Sequence, residues 1–298
     1  MQQRAGVDGE ARFTMLETVR EYALEQLEVS GEAEAIRVQH AAYYLVLAEV
    51  AEVELRGPEQ VLWLRRLEAE HNNLRSALRW TLEQQHGTTA AQLVGALGRF
   101  WELHGYLEEG RRWLEQSLVQ AGSLPPAVRA KTLQCSGRLA TYQGDYAAAQ
   151  SCYTESLALY RAAEHKQGIA ISLNHLGRLA RLQGDYAAAQ RFIGESLALS
   201  RELGDTQGIA FSLVTLGLLA RDHDDVAAAH SYYTESLRLN RELGHKVGIA
   251  DTLHGLGLLA HDRGDDATAE SYYTEALTLF RGWVTSKGRL LCWTPSQP

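Results

Sequence analysis

A few short words in this chain carry residue types that chemistry uses. "GDYAAAQ" stands at 144–150 and again at 184–190, "DDVAAAH" follows at 224–230 and "GDDATAE" at 264–270. Glycine-rich turns that open a helix can cradle phosphate. Such a cradle needs a strand before the glycines and usually a lysine with a serine or threonine after them; neither is present. "RDHDD" (221–225) and "HDRGDD" (261–266) bring Asp222, His223, His261 and Asp262, a ligand set for a divalent ion if successive turns stacked closely. Exposed turn residues beside a helix cap are the simpler expectation, and no metal or cofactor is expected. Catalysis has no candidate, since nucleophile elbow, HExxH and strand–glycine-loop–helix patterns are all missing from the sequence. Glu155, Glu195, Glu235 and Glu275 recur every forty residues, which reads as architecture and not as an acid–base pair. Cys135, Cys152 and Cys292 form no C-x-x-C pair, so neither a zinc site nor a disulfide framework is supported. The expectation is a protein that is not an enzyme.

The recurrence itself is the stronger signal. Residues 170–209 and 210–249 are identical at 22 of 40 positions, and a period of this length marks a repeat architecture. Five units begin near Ala91, Ala130, Ala170, Ala210 and Ala250. Leu173, Leu176, Leu179 and Ala180 fall on one helical face, and Ala189, Ile193, Leu197 and Leu199 form a second stripe, so each unit predicts two amphipathic helices. The glycine–aspartate word is then the turn between them. Gly144, Gly184 and Gly264 suit a positive φ just past the first helix, and Asp224 takes that place in the fourth unit. Asp145, Asp185, Asp225 and Asp265 are read as N-caps, each worth about 1 kcal/mol. Gly137, Gly177, Gly217 and Gly257 lie inside the first helix, where glycine costs about 1 kcal/mol relative to alanine. Close helix–helix approach is the expected offset.

The pattern L-x-x-LG-x-x-A, then G-D-Y/V, then A-x-x-x-Y resembles the tetratricopeptide repeat over about 91–281, at a forty-residue pitch of the kind seen in bacterial signalling ATPases. The first unit departs most, with Trp101 and Gly110 where others carry alanine. A second resemblance covers about 12–85. "RFTMLETVREYALEQLEVSGEAEAIRVQHAAYYL" followed by "LRGPEQVLWLRRLEAEHNNLRSALRW" is similar to the segment after the nucleotide-binding core of multidomain signal-transduction ATPases, LuxR-type regulators among them. That resemblance implies the end of a winged-helix domain plus a helical connector. With no Walker motif and no DNA-binding output domain in its sequence, the chain reads as a C-terminal fragment or shortened descendant of such a regulator. The expected fold is all-α, a right-handed superhelical solenoid with a helical lead-in. Its parts are a winged-helix-like remnant at 1–35, a connector at 36–88, repeats at 91–129, 130–169, 170–209, 210–249 and 250–281, and an irregular tail at 282–298. Trp283, Leu290, Leu291 and Trp293 either fold back over the last repeat or belong to a disordered end.

Unit positions two, five, nine and twelve are expected to face inward. They place Arg99, Arg138 and Arg178 at position nine and Arg181 and Arg221 at position twelve, with Lys131, Gln134 and Asn174 beside them. Phe211, Val214, Leu218 and Leu258 turn the same surface apolar, and Asp251, His254 and His261 close the series. Two readings stand. The wall receives an acidic or carboxylate-ended peptide with an apolar flank, since arginine bonds carboxylates bidentately; or its arginines are solvated or paired with glutamates of neighbouring helices. The lysine and asparagine pattern of the carboxylate-clamp type is not reproduced.

A net charge of −8 argues against wholesale binding to nucleic acid or anionic membrane. The longest apolar stretch, 41–55, is interrupted by Glu49, Glu52 and Glu54, so no span is expected and the cytoplasm is the expected compartment. The functional expectation is a protein- or peptide-binding sensor module of a bacterial signalling or transcriptional regulator. A small-molecule sensor using the same groove is the alternative.

Overall fold

The computed structural model describes residues 2–5, 11–120 and 124–281; the 282–298 tail lies outside them. A lead-in of α1 (Glu17–Ser30), α2 (Ala33–Glu54), α3 (Gln60–Ala69) and α4 (His71–Glu83) precedes five helix pairs. These are α5 (Gly87–His104) with α6 (Leu107–Gln120), α7 (Pro126–Tyr142) with α8 (Tyr146–Ala162) and α9 (Lys166–Leu182) with α10 (Tyr186–Glu202). The last two pairs are α11 (Thr206–Asp222) with α12 (Val226–Glu242), and α13 (Lys246–Asp262) with α14 (Asp266–Arg281). The fold is the expected all-α solenoid, with one small addition. Strands β1 (Gln2–Ala5) and β2 (Ala11–Thr14) pair antiparallel at the N-terminus, Gln2 opposite Thr14 and Ala5 opposite Ala11.

The turns take the expected form. Gly144, Gly184 and Gly264 have φ of +76°, +80° and +74°, and Asp224 has +60°. The carboxylates of Asp145, Asp185, Asp225 and Asp265 accept the amides of Ala148, Ala188, Ala228 and Thr268 at 3.0–3.2 Å. The interior glycines mark close approach. A Cβ on Gly217 would stand 2.5 Å from the ring of Tyr233, and one on Gly137 would stand 2.6 Å from Tyr153. Ile193 and Tyr273 fill the same place against Gly177 and Gly257. The first pair solves the contact in reverse. Trp101 is buried on α5, and Gly110 of α6 leaves the room its indole fills.

A copied hydroxyl ties the second, third and fourth pairs together. Ser156, Ser196 and Ser236, the middle letter of the recurring "ESL" word, are buried and donate to the carbonyls of Ala130, Ala170 and Ala210 at 2.8–2.9 Å. The first helices α5, α7, α9, α11 and α13 pack successively against one another along the inside of the superhelix. Helix α2 continues that row on the N-terminal side, packing on α4 and α5 through Tyr44, Leu47, Ala48 and Ala51. The curl is tight enough that the turn after α2 meets the turn between α12 and α13: Pro58 Cβ lies 3.5 Å from where a Cβ on Gly244 would be.

Gly217→Ala drives its methyl into Tyr233 and is expected to lower stability by about 1–3 kcal/mol. Gly194→Ala, inside α10 with nothing within 4 Å of the new Cβ, should instead raise stability by about 0.5–1 kcal/mol. Thermal unfolding of the two variants checks the opposite signs.

Candidate partner-binding groove

At about 100° per residue, positions two and nine of a first helix point to the axis, while five and twelve lean toward the following repeat. The structure divides the predicted residues along that line. Position twelve reaches position thirteen of the next helix. Arg181 pairs with Asp222 at 2.7 Å, Arg221 with Asp262 at 2.5 Å, and Tyr142 donates to Glu102 at 2.8 Å. Asp222 and Asp262, half of the candidate metal set, are therefore counter-ions of arginines. His223 packs edge-on to Tyr186, and His261 bonds Asp266 at 3.0 Å. Among the described residues no three such side chains converge on one point.

Gln134 and Asn174, at position five, are a correction to the inward-facing reading. Both are buried. Gln134 donates to Ser172 Oγ at 2.7 Å and to the Gly168 carbonyl at 3.2 Å; Asn174 donates to Ser212 Oγ at 2.8 Å. Their amides fasten one repeat to the next and are closed to a partner.

Positions two and nine carry the remaining candidates. Lys131 forms an ion pair with Glu52 of α2. Arg99 and Arg138 share a single carboxylate, Glu102, at 3.0 and 3.1 Å, and Glu102 is only 5% exposed. Burial by itself would raise the pKa of Glu102. The two guanidiniums and the Tyr142 hydroxyl overturn that and hold it at about 2. Arg178 is different. Its guanidinium sits 6.0 Å from the Tyr142 ring, and among the described residues no carboxylate stands within ion-pair distance. Its longer-range attractions include Asp251 of α13, a residue exposed to solvent whose carboxyl is raised by desolvation in the confined space of the curl and pulled back by Arg178 and Arg99. The curl thus brings the fifth first-helix within reach of the first and third.

Next to this cluster His175 stacks on Tyr153 at 5.0 Å and meets Phe211 edge-on at 5.6 Å. Burial, then Arg138 and Arg178, hold its imidazole neutral, well below the usual range. Beyond it Phe211, Val214, Leu218 and Leu258 are half-buried, and Val214 and Leu218 rest on the core between α12 and α14. His254 lies near Tyr273, ring centroids 5.9 Å apart. The sequence reading passed over Glu102, Tyr142, His175, Glu52 of α2 and Arg56 in the turn after it. Glu102 was within reach, since it is position twelve of the first unit. Glu52 and Arg56 were not, because no repeat register extends to them.

This geometry agrees with what the chain is similar to. A tetratricopeptide repeat family model matches residues 128–202, 168–242 and 208–282, more than half of the chain together. The chain belongs to the tetratricopeptide repeat family. Over 138 residues this tetratricopeptide repeat protein is 38% identical to proteins named "Putative HTH-type transcriptional regulator" in Mycobacterium bovis and Mycobacterium tuberculosis. The match covers 45% of this chain and only 15% of the length of each of those proteins. Among solved structures, aspartyl phosphate phosphatase F from Bacillus subtilis superposes with a TM-score of 0.56 at 11% identity, over 89% of this chain and 76% of that one. BtubC (BKLC) from P. vanneervenii superposes with a TM-score of 0.53 at 16% identity, over 75% and 97%. At these identities the likeness is one of fold.

Depression of the Glu102 pKa makes this carboxylate a stabilising group above about pH 4.5, worth on the order of 3 kcal/mol and lost as pH falls toward 2. Glu102→Gln should therefore lower stability at pH 7 by about 2–4 kcal/mol, because two buried-side guanidiniums lose their shared anion. It should also flatten the acid limb between about pH 5 and 2. Urea unfolding of both proteins at pH 7 and pH 3 measures the two effects.

Proposed function

We propose that this chain is a non-catalytic interaction module of a transcriptional regulator, and that its concave groove takes an acidic partner segment with an apolar flank. The observation that carries this reading is the charge imbalance on the inner wall. Arg99 and Arg138 share one carboxylate and Arg178 has none in ion-pair contact, in a chain whose net charge is −8. A guanidinium with no carboxylate at ion-pair distance among the described residues, backed by an aromatic ring and a neutral imidazole, is a ready donor to one more carboxylate. Phe211, Leu218 and Leu258 offer the apolar continuation. The partner lies with its acidic end over the first three repeats and its apolar end over the last two.

The remaining features are consistent with a scaffold. The recurring glutamates Glu155, Glu195 and Glu275 pair with Arg129, Arg161 and Arg241 on adjoining helices, a structural use. No helix among the described residues is long and apolar enough to cross a membrane. The named regulators similar to this chain supply the regulatory context, in which occupancy of the groove is read by whatever the lead-in is joined to.

Arg178 is the residue to change, because reversing it breaks no ion pair of the solenoid. Arg178→Glu removes the attraction to Asp251, so it should lower the melting temperature by about 2–4 °C with the fold intact, and weaken binding of an acidic, leucine-flanked peptide by about tenfold or more. The parent complex should also weaken steeply with salt. Fluorescence anisotropy reads both, and equal affinity in the parent and the variant would sink the proposal.

A further inference from the structure

We propose that the lead-in gates this groove: the turn after α2 shuts one rim against the turn before α13, and Glu52 keeps it shut by occupying Lys131, a cation that an acidic partner would claim. This rests on the groove being the partner site.

The rim contact is real but thin. Pro58 Cβ lies 3.5 Å from where a Cβ on Gly244 would be, and the adjoining residues Glu52, Val53, Arg56, Gly57, Gln207 and Leu243 line an open cavity of about 470 Å³. Val53 remains 70% exposed and Leu243 37%, so no apolar core seals the seam. His245, next to Gly244, is buried with its Nε2 unpartnered. The other side of α2 is the opposite case: Ala41, Tyr44, Leu47, Ala48, Ala51 and Leu55 belong to the largest core cluster, together with α4 and α5 residues. With the lead-in side held by that core, the thinly packed seam against the α12–α13 turn is the part that separates first. Because each repeat contacts chiefly its neighbours, small rotations shared along the stack are enough to spread the rim.

Electrostatics supply the coupling. The Lys131–Glu52 pair is part-exposed, 39% and 19%, and such pairs exchange partners readily. Glu52 also stands 3.9 Å from Arg56, so a single α2 carboxylate serves one cation of the groove and one of the seam. An incoming carboxylate that takes Lys131 releases Glu52, and with it the electrostatic tie between α2 and α7. Groove occupancy is thereby converted into a movement of the repeats relative to the lead-in.

The test uses the full chain with Cys152 and Cys292 changed to serine and the pair Pro58→Cys and Gly244→Cys introduced. The 3.5 Å separation of the two Cβ positions is within reach of a disulfide. The probe is a synthetic peptide with an acidic half and a leucine-rich half. The oxidised variant should bind it about tenfold or more weakly than the same protein after reduction, and Glu52→Gln in the parent chain should bind it about threefold more tightly. Equal affinity in oxidised and reduced forms, with Arg178→Glu still weakening binding, overturns the gate and leaves the partner site standing. Absence of binding in every form overturns the partner site. The gate is then judged without peptide, by the rate of disulfide formation, which should fall about threefold when Glu52→Gln is added. A rate unmoved by that change overturns the gate as well.

Discussion

Everything in this solenoid depends on one contact made repeatedly: a helix without a side chain at one point, pressed against a ring or branched side chain of its partner helix. Gly137, Gly177, Gly217 and Gly257 admit Tyr153, Ile193, Tyr233 and Tyr273. Glycine in a helix is unfavourable by itself, and the burial of a tyrosine or isoleucine exceeds that cost. The approach it permits also puts Ser156, Ser196 and Ser236 within bonding distance of a carbonyl in the body of the first helix. Packing and hydrogen bonding thus specify the same separation, and copying the pair copies the separation.

A constant separation and a constant angle accumulate into curvature. By the fifth pair the chain has curled until Asp251 senses Arg178 and Arg99 and the turn at Gly244 meets Pro58. The inner wall is consequently a confined space where charges from distant repeats interact. Glu102 shows the consequence, since burial and three polar neighbours act on one carboxyl in opposite directions and the neighbours prevail. Arg178 shows the converse, a cation in the same space with no carboxylate in contact. The difference between them is what gives the wall a capacity for an external anion.

Much of this was legible from residues alone. The forty-residue pitch, the aspartate caps and the positive φ at Asp224 follow from local steric rules. Arg181 and Arg221, expected to face inward, pair with Asp222 and Asp262 of the next repeat, and those two carboxylates resemble metal ligands in the sequence because a carboxylate beside a histidine looks the same whether or not a guanidinium covers it. Gln134 and Asn174 were placed on the open wall by a helical wheel. A wheel gives an angle about one helix axis; whether that angle meets solvent or the next repeat is set by the twist between axes. Here the twist turns position five toward Ser172 and Ser212.

Sequence by itself determined the repeat, its helices, its turns and the residue types along its inner side, since these depend on contacts within one unit or between adjacent units. Tertiary structure alone decided that, among the described residues, Arg178 has no carboxylate at ion-pair distance, that a lead-in carboxylate reaches Lys131, and that the turn after α2 comes close to the turn before α13. Those outcomes depend on small rotations summed over five repeats, and no single unit encodes the sum.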